Sequence, residues 1–152
     1  MTQSLNGKRV AILVTEGFEQ VELTGPQEAL EKAGATAQIV SAKNGEVTGW
    51  NHTTPASKFH VDKTFDDLDM NDYDAVLLPG GVVNSDTIRT DESAQKLVRD
   101  AAAANKPIAV ICRRLAADLG RTCQGQAHDQ LAVAYRRPEE RRRRLGGPGG
   151  GG

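Results

Sequence analysis

The chain is short of almost everything that would place it outside a reducing compartment. It has two cysteines, too few for the disulfide framework of a small secreted domain, and no Cys/His cluster has zinc spacing. No apolar stretch approaches the ~18 residues of a membrane span, and the N-terminus lacks the hydrophobic region of a signal peptide. Net charge is only −1 over 152 residues, which argues for neither a nucleic-acid nor a membrane-surface partner. A soluble cytoplasmic protein of ordinary single-domain size is the expectation.

Lysine is absent from one end. All seven lysines precede residue 112, whereas nine of the twelve arginines and half of the sixteen glycines follow it. Residues 1–112 carry a net charge of −6 and residues 113–152 a net charge of +5. The chain is therefore divided here into 1–112 and an Arg/Gly-rich tail, 113–152.

The first part alternates strands and helices. Arg9-Val10-Ala11-Ile12-Leu13-Val14-Thr15 is a β-branched apolar run bounded by Gly7 and Glu16-Gly17, the pattern of a buried strand. Leu23, Ala29, Leu30 and Ala33 fall at helical spacing, with Pro26 suiting an early helical position and Gly34 a stop. Ala37 to Ser41 is the next strand. Short strands are expected around Val47-Thr48 and Phe59-His60-Val61, and a surface helical turn over the acidic run 66–72. Ala75-Val76-Leu77-Leu78 and Pro107 to Cys112 are two more apolar strands, separated by a helix over about 91–104. Apolar strands alternating with helices predict an α/β fold, a doubly wound parallel sheet with helices on both faces. Ligands of such sheets bind beyond the carboxyl ends of the strands, near a switch point. Here those ends are Glu16 to Glu22, Pro79-Gly80-Gly81 and Cys112.

Each end has a chemical reading and a plainer one. Cys112 at a sharp strand-to-helix turn would have its thiol pKa lowered by a helix N-terminus and act as a nucleophile; taken from the strand alone, a buried structural cysteine is the commoner outcome. Pro79-Gly80-Gly81 offers backbone N–H groups to an oxyanion, or is an ordinary strand-ending turn. Glu19 and Glu22, three residues apart, can be aimed at one region by a turn of helix, or simply complement the helix dipole.

Three ordered segments carry a family likeness: Thr15-Glu16-Gly17-Phe18-Glu19-Gln20-Val21-Glu22-Leu23, Asp74-Ala75-Val76-Leu77-Leu78-Pro79-Gly80-Gly81, and Lys106-Pro107-Ile108-Ala109-Val110-Ile111-Cys112. Together with Thr48-Gly49 and Asp86-Thr87-Ile88-Arg89, they resemble the ThiJ/PfpI superfamily over about residues 7–112. This is the class I glutamine amidotransferase-like group of intracellular protease I and the parkinsonism-associated stress protein. The resemblance implies a flavodoxin-like fold that assembles as homodimers or larger homo-oligomers, with no cofactor and no metal. It implies that Cys112 is the elbow nucleophile and that Glu22 hydrogen-bonds its sulfur, with Glu19 the second candidate. It further implies that the Gly81 amide is the oxyanion donor, and that Asp86 loosely matches an acid some members lend across a subunit interface to a histidine. The implied function is a stress-related cysteine hydrolase acting on a small carbonyl or peptide substrate, as peptidase, glyoxalase or protein deglycase. The alternative is a non-catalytic sensor whose cysteine oxidises reversibly or to the sulfinic state.

After Cys112 the likeness stops. The protease-like branch continues with His-Gly; this chain has Arg113-Arg114, and an arginine cannot accept a proton as histidine does. A family-like His-Gly-Ala-Trp-Leu-Leu encoded as CAC GGC GCC TGG CTG CTG AT becomes CGG CGC CTG GCT GCT GAT when two bases are removed. That reads Arg-Arg-Leu-Ala-Ala-Asp, which is residues 113–118. Codons for residues 119–126 and 130–135 permit two further family segments in the same shifted frame. Residues 113–152 are therefore expected to be a frameshifted tail, leaving the C-terminal third of the family fold missing or out of frame. A literal tail of this kind would leave one sheet face and an edge poorly covered. The competing reading is an RNA-binding arm built on Arg136-Arg137 and Arg141 to Arg144, although Tyr135 as its one aromatic offers little base stacking.

Overall fold

The computed structural model describes residues 4–111 and a further strand at 131–133. Its elements run β1 (Arg9–Leu13), β2 (Phe18–Glu19), α1 (Gln20–Lys32), β3 (Thr36–Ser41), β4 (Glu46–Asn51), β5 (Thr54–His60), β6 (Lys63–Thr64), a 3-10 turn (Met70–Asp72), β7 (Ala75–Leu78), α2 (Val82–Thr90), α3 (Glu92–Ala103), β8 (Ile108–Val110) and β9 (Leu131–Val133).

The apolar runs form one sheet. Its order is β6-β3-β1-β7-β8-β9, with every adjacent pair parallel. From β1 the chain first builds outward through β3 and β6, then returns to place β7 on the other side of β1. The reversal puts a switch point between the carboxyl ends of β1 and β7. The doubly wound, flavodoxin-like α/β fold expected from the sequence is the one observed.

Both sheet faces are covered, which is why the central strands β1, β7 and β8 read as apolar runs. Side chains alternate along β1: Val10 and Ile12, followed by Val14, join one buried cluster with Phe18, Leu23 and Ile39. Ala11 and Leu13 join the other cluster with Leu78, Ile88, Leu97, Val98 and Ile108. On this second face Asp91 ends α2 and caps α3, its carboxylate accepting the Ala94 N–H at 2.9 Å.

A small second sheet, β2-β4-β5, stands over the first face. Phe18 pins it: the ring is fully buried and meets Phe59 at a centroid distance of 5.6 Å. A Cβ on Gly49 would lie 3.1 Å from that ring, so the glycine leaves room for it.

Several local features differ from the sequence reading. Helix α2 was not foreseen. Pro26 lies in the middle of α1 rather than near its start, so the Glu22 carbonyl lacks the N–H that residue 26 would otherwise donate. The strands around 47–48 and 59–61 are longer than expected and pair antiparallel as a hairpin. Finally, β9 comes from the segment read as a tail and pairs with β8 in register Ile108 to Leu131.

Candidate active site at the ends of β1 and β7

The site is organised around Pro79-Gly80-Gly81, the turn between β7 and α2. Gly81 is the residue before the first helical position, and its φ of 111° with ψ of 133° is a backbone conformation that side chains resist. The segment after β1 presses against it. A Cβ at Gly81 would sit 2.5 Å from the Gly17 carbonyl oxygen and 2.9 Å from both the Glu19 nitrogen and the Phe18 Cα. A glycine is needed here for both the angle and the space. Its own N–H has no acceptor among the described residues, and it stands at the positive end of α2.

The two glutamates separate at this turn. Glu19 belongs to β2 and caps α1, whereas Glu22 stands in the first turn of that helix. Glu22 reaches the glycines: its Oε2 accepts the Gly80 N–H at 2.6 Å. Burial pushes the Glu22 carboxyl above the ordinary carboxylate range, the Gly80 hydrogen bond pulls it partly back, and the Glu19 charge pushes it up again. Glu19 contributes its backbone to the same turn, donating its N–H to the Gly80 oxygen at 3.0 Å. Its carboxylate faces away and accepts the His52 N–H at 3.2 Å and 3.3 Å, with His52 Nδ1 at 3.8 Å.

An open cleft of about 650 Å³ lies beside the turn, with Glu19, Trp50, His52, Gly81, Val83 and Asp86 among its lining residues. Asp86 projects from α2 and is held by Arg89, whose Nε donates to Oδ1 at 3.0 Å. Val82 and Val83 are exposed at the start of the same helix, 78% and 55% respectively. Among the described residues, no group of three or more His, Cys, Asp or Glu is placed to hold a metal ion. No helix among them is long and apolar enough to cross a membrane.

Of the residues singled out from sequence, Glu22 is bonded to the Gly80 N–H beside Gly81, and Gly81, Glu19 and Asp86 line the adjoining cleft. Cys112 lies outside the described residues. The residue before it, Ile111, donates its N–H to the Leu78 oxygen at 3.1 Å, so this stretch follows the end of β7 up to the glycine turn. Sequence reasoning missed Asn84, Ser85 and the hairpin residues Trp50, His52 and Thr53. The aromatic at 50 between two polar stretches was a signal for the hairpin; nothing local marked Asn84.

Comparison with known proteins agrees with this geometry. YraA of Bacillus subtilis is 36% identical over 106 residues, which span 69% of this chain and 60% of that protein. Deglycase PfpI of Pyrococcus furiosus is 33% identical over 104 residues, 68% of this chain and 60% of the relative. General stress protein 18 of Bacillus subtilis is 30% identical over 106 residues, covering 70% and 60%. The chain thus spans about 60% of the length of these relatives. Among solved structures, oxidized DJ-1 of Toxoplasma gondii superposes with a TM-score of 0.66 at 22% identity, over 78% of this chain and 62% of that one. A ThiJ/PfpI domain protein of Brachyspira murdochii gives 0.64 at 20% identity, over 84% and 68%. The DJ-1/PfpI family model matches residues 8–120, a span that includes all three motifs and the first eight residues after Cys112. With motifs, sheet order and glycine turn all in agreement, this chain belongs to the DJ-1/PfpI family.

Proposed function

We propose that the protein is a cysteine-dependent hydrolase or deglycase of the DJ-1/PfpI type, with Cys112 as its nucleophile. The observation that carries the reading is the half-buried Glu22 carboxyl, bonded to the Gly80 N–H at the end of the strand that runs beside the approach to Cys112. A carboxyl whose pKa is raised keeps its proton to higher pH than a free one and can exchange it with a thiol or an alkoxide. The Cys112 thiolate adds to a substrate carbonyl carbon, the carbonyl oxygen gains the electron pair, and the Gly81 N–H stabilises that oxygen. The names of two relatives, a deglycase and a general stress protein, support this class of chemistry. The substrate is then a small carbonyl compound or a peptide, the assembly a homodimer or larger homo-oligomer with Asp86 facing the subunit boundary, and the compartment the cytoplasm.

Methylglyoxal consumption and peptide hydrolysis, measured on the parent and on Cys112→Ala, test the reading. Loss of one activity to background in the variant is expected; equal turnover in both proteins overturns it. One sequence feature favours a second reading, a redox sensor. Arg113 stands where protease-like members have a histidine, and an arginine can favour the thiolate without serving as a base. Cys112 oxidation by peroxide without turnover of either substrate would identify the sensor.

We also propose that residues 113–152 are the family's C-terminal third read in a shifted frame, on the codon argument and the change of composition at 112/113. The shift is either a sequencing error or a true lesion: an intact mass of the natural protein well above 16.3 kDa is expected from the first, and a mass of 16.3 kDa would overturn that version.

A further inference from the structure

Asn84 lies in the first turn of α2 and is completely buried. An asparagine side chain has one oxygen with two acceptor positions and one amide nitrogen with two hydrogens. All four are used. Oδ1 accepts the Thr15 N–H at 2.7 Å and the Thr15 hydroxyl at 3.0 Å. Nδ2 donates to the Pro79 oxygen at 2.9 Å and the Gly80 oxygen at 3.2 Å. The orientation of the amide is fixed by its neighbours, because a backbone N–H only donates and a carbonyl only accepts. One side chain therefore straps the end of β1 to the turn after β7.

The strap continues through the backbone. The Pro79 carbonyl and the Gly80 N–H belong to a single peptide group, so donation to the Pro79 oxygen polarises that group and strengthens the Gly80 N–H as a donor. The Gly80 N–H is the group that holds Glu22. The Gly80 oxygen is held at the same time by Asn84 and by the Glu19 N–H, so the peptide on the other side of Gly80 cannot turn freely. The hydrogen bonds run in series from Thr15 to Asn84, through the Pro79–Gly80 peptide, to the Glu22 carboxyl.

We infer that Asn84, itself aligned by Thr15, is a positioning residue that sets the orientation and proton affinity of Glu22 through the Pro79–Gly80 peptide. Its significance for catalysis rests on the reading of Glu22 as the proton partner of Cys112, but the chain of bonds exists without that reading. Among the described residues, Glu19 is the charged group whose field reaches Glu22, and neither substitution in the strap replaces it.

The test is a pH titration of the Glu22 side-chain carboxyl by carbon NMR on the full chain, assigned with Glu22→Gln. A hydrogen bond to the ionised carboxylate lowers its pKa. Asn84→Ala is therefore expected to move the Glu22 midpoint up from its parent position. Thr15→Val, which keeps the residue 15 N–H but loses the hydroxyl, should move it up by less, and Thr15→Ser should restore the parent midpoint. A Glu22 midpoint unchanged in folded Asn84→Ala, or identical in Thr15→Val and Thr15→Ser, overturns the inference. If Asn84→Ala does not fold, the two Thr15 variants decide alone. Methylglyoxal turnover and peptide hydrolysis by the parent keep the two claims apart: the expected midpoint shifts in a protein with neither activity would leave Asn84 as the positioning residue and overturn the proposed activity.

Discussion

Gly81→Ala is expected to lose about 3 kcal/mol or more of folding stability, the sum of two costs at one atom. The backbone cost comes from φ of 111°, which a residue with a Cβ adopts only under strain. The packing cost comes from backbone atoms on the other side of the site, with the Gly17 oxygen 2.5 Å from the new carbon. None of the three nearest atoms belongs to a flexible side chain that can step aside. Relief requires the turn after β7 to move away from the segment after β1, and that movement would break the Glu19 N–H to Gly80 oxygen bond as well. A drop in the urea midpoint of that size checks the expectation; a variant as stable as the parent would mean that the turn relaxes freely. Gly7→Ala is a useful contrast, since it shares a positive φ of 76° but its Cβ would meet nothing within 4 Å.

Glu22→Gln should change stability and activity in opposite directions. Burial raises the Glu22 pKa in the folded protein, so the native state binds this proton more tightly than the unfolded chain does. The resulting stability is fully present below the ordinary carboxylate range and is lost as pH rises through the folded-state pKa. A glutamine is neutral throughout and can still accept from the Gly80 N–H through its oxygen. The variant should match the parent in acid and become the more stable of the two at neutral pH, as read from urea midpoints at the two pH values. Turnover by Cys112 should meanwhile fall by about 10²- to 10⁴-fold, the span of a lost general acid or base. Unchanged turnover would remove Glu22 from the proposed chemistry. A stability difference that grows towards acid would contradict the burial account.

Residues whose environment is local were the easiest to read. The strands β1, β7 and β8 announce themselves as apolar runs because both faces of a parallel sheet are covered. Helix α3 has a strong apolar stripe of Ala94, Leu97, Val98, Ala101 and Ala102 after an Asp91 cap, and its limits were foreseen within about a residue. Helix α2 has no comparable signal: it opens on a glycine and exposes Val82 and Val83 while burying Asn84 and Ser85. An exposed valine beside a buried asparagine inverts the usual pattern, and the asparagine is buried because its amide is fully hydrogen-bonded. The fold class alone directs attention to the three strand ends, since parallel α/β sheets put ligands there.

The sequence by itself determined the parallel α/β framework, the order of the three motifs and the change of composition at 112/113. It also determined the family, because motif identity and spacing survive without coordinates. Linear spacing left the two glutamates equivalent and the resemblance ranked Glu22 first; only the tertiary structure shows their separate contacts. It sends Glu22 to the Gly80 N–H and turns Glu19 towards His52. Only the structure gave Asn84 its place. The bond from Gly80 to Glu22 spans 58 residues of sequence and the one from Thr15 to Asn84 spans 69. Patterns of burial are written in neighbouring residues, because strands and helices repeat every two or 3.6 positions. Hydrogen bonds between distant strand ends depend on sheet order and on the angle of one glycine, and no local period encodes either.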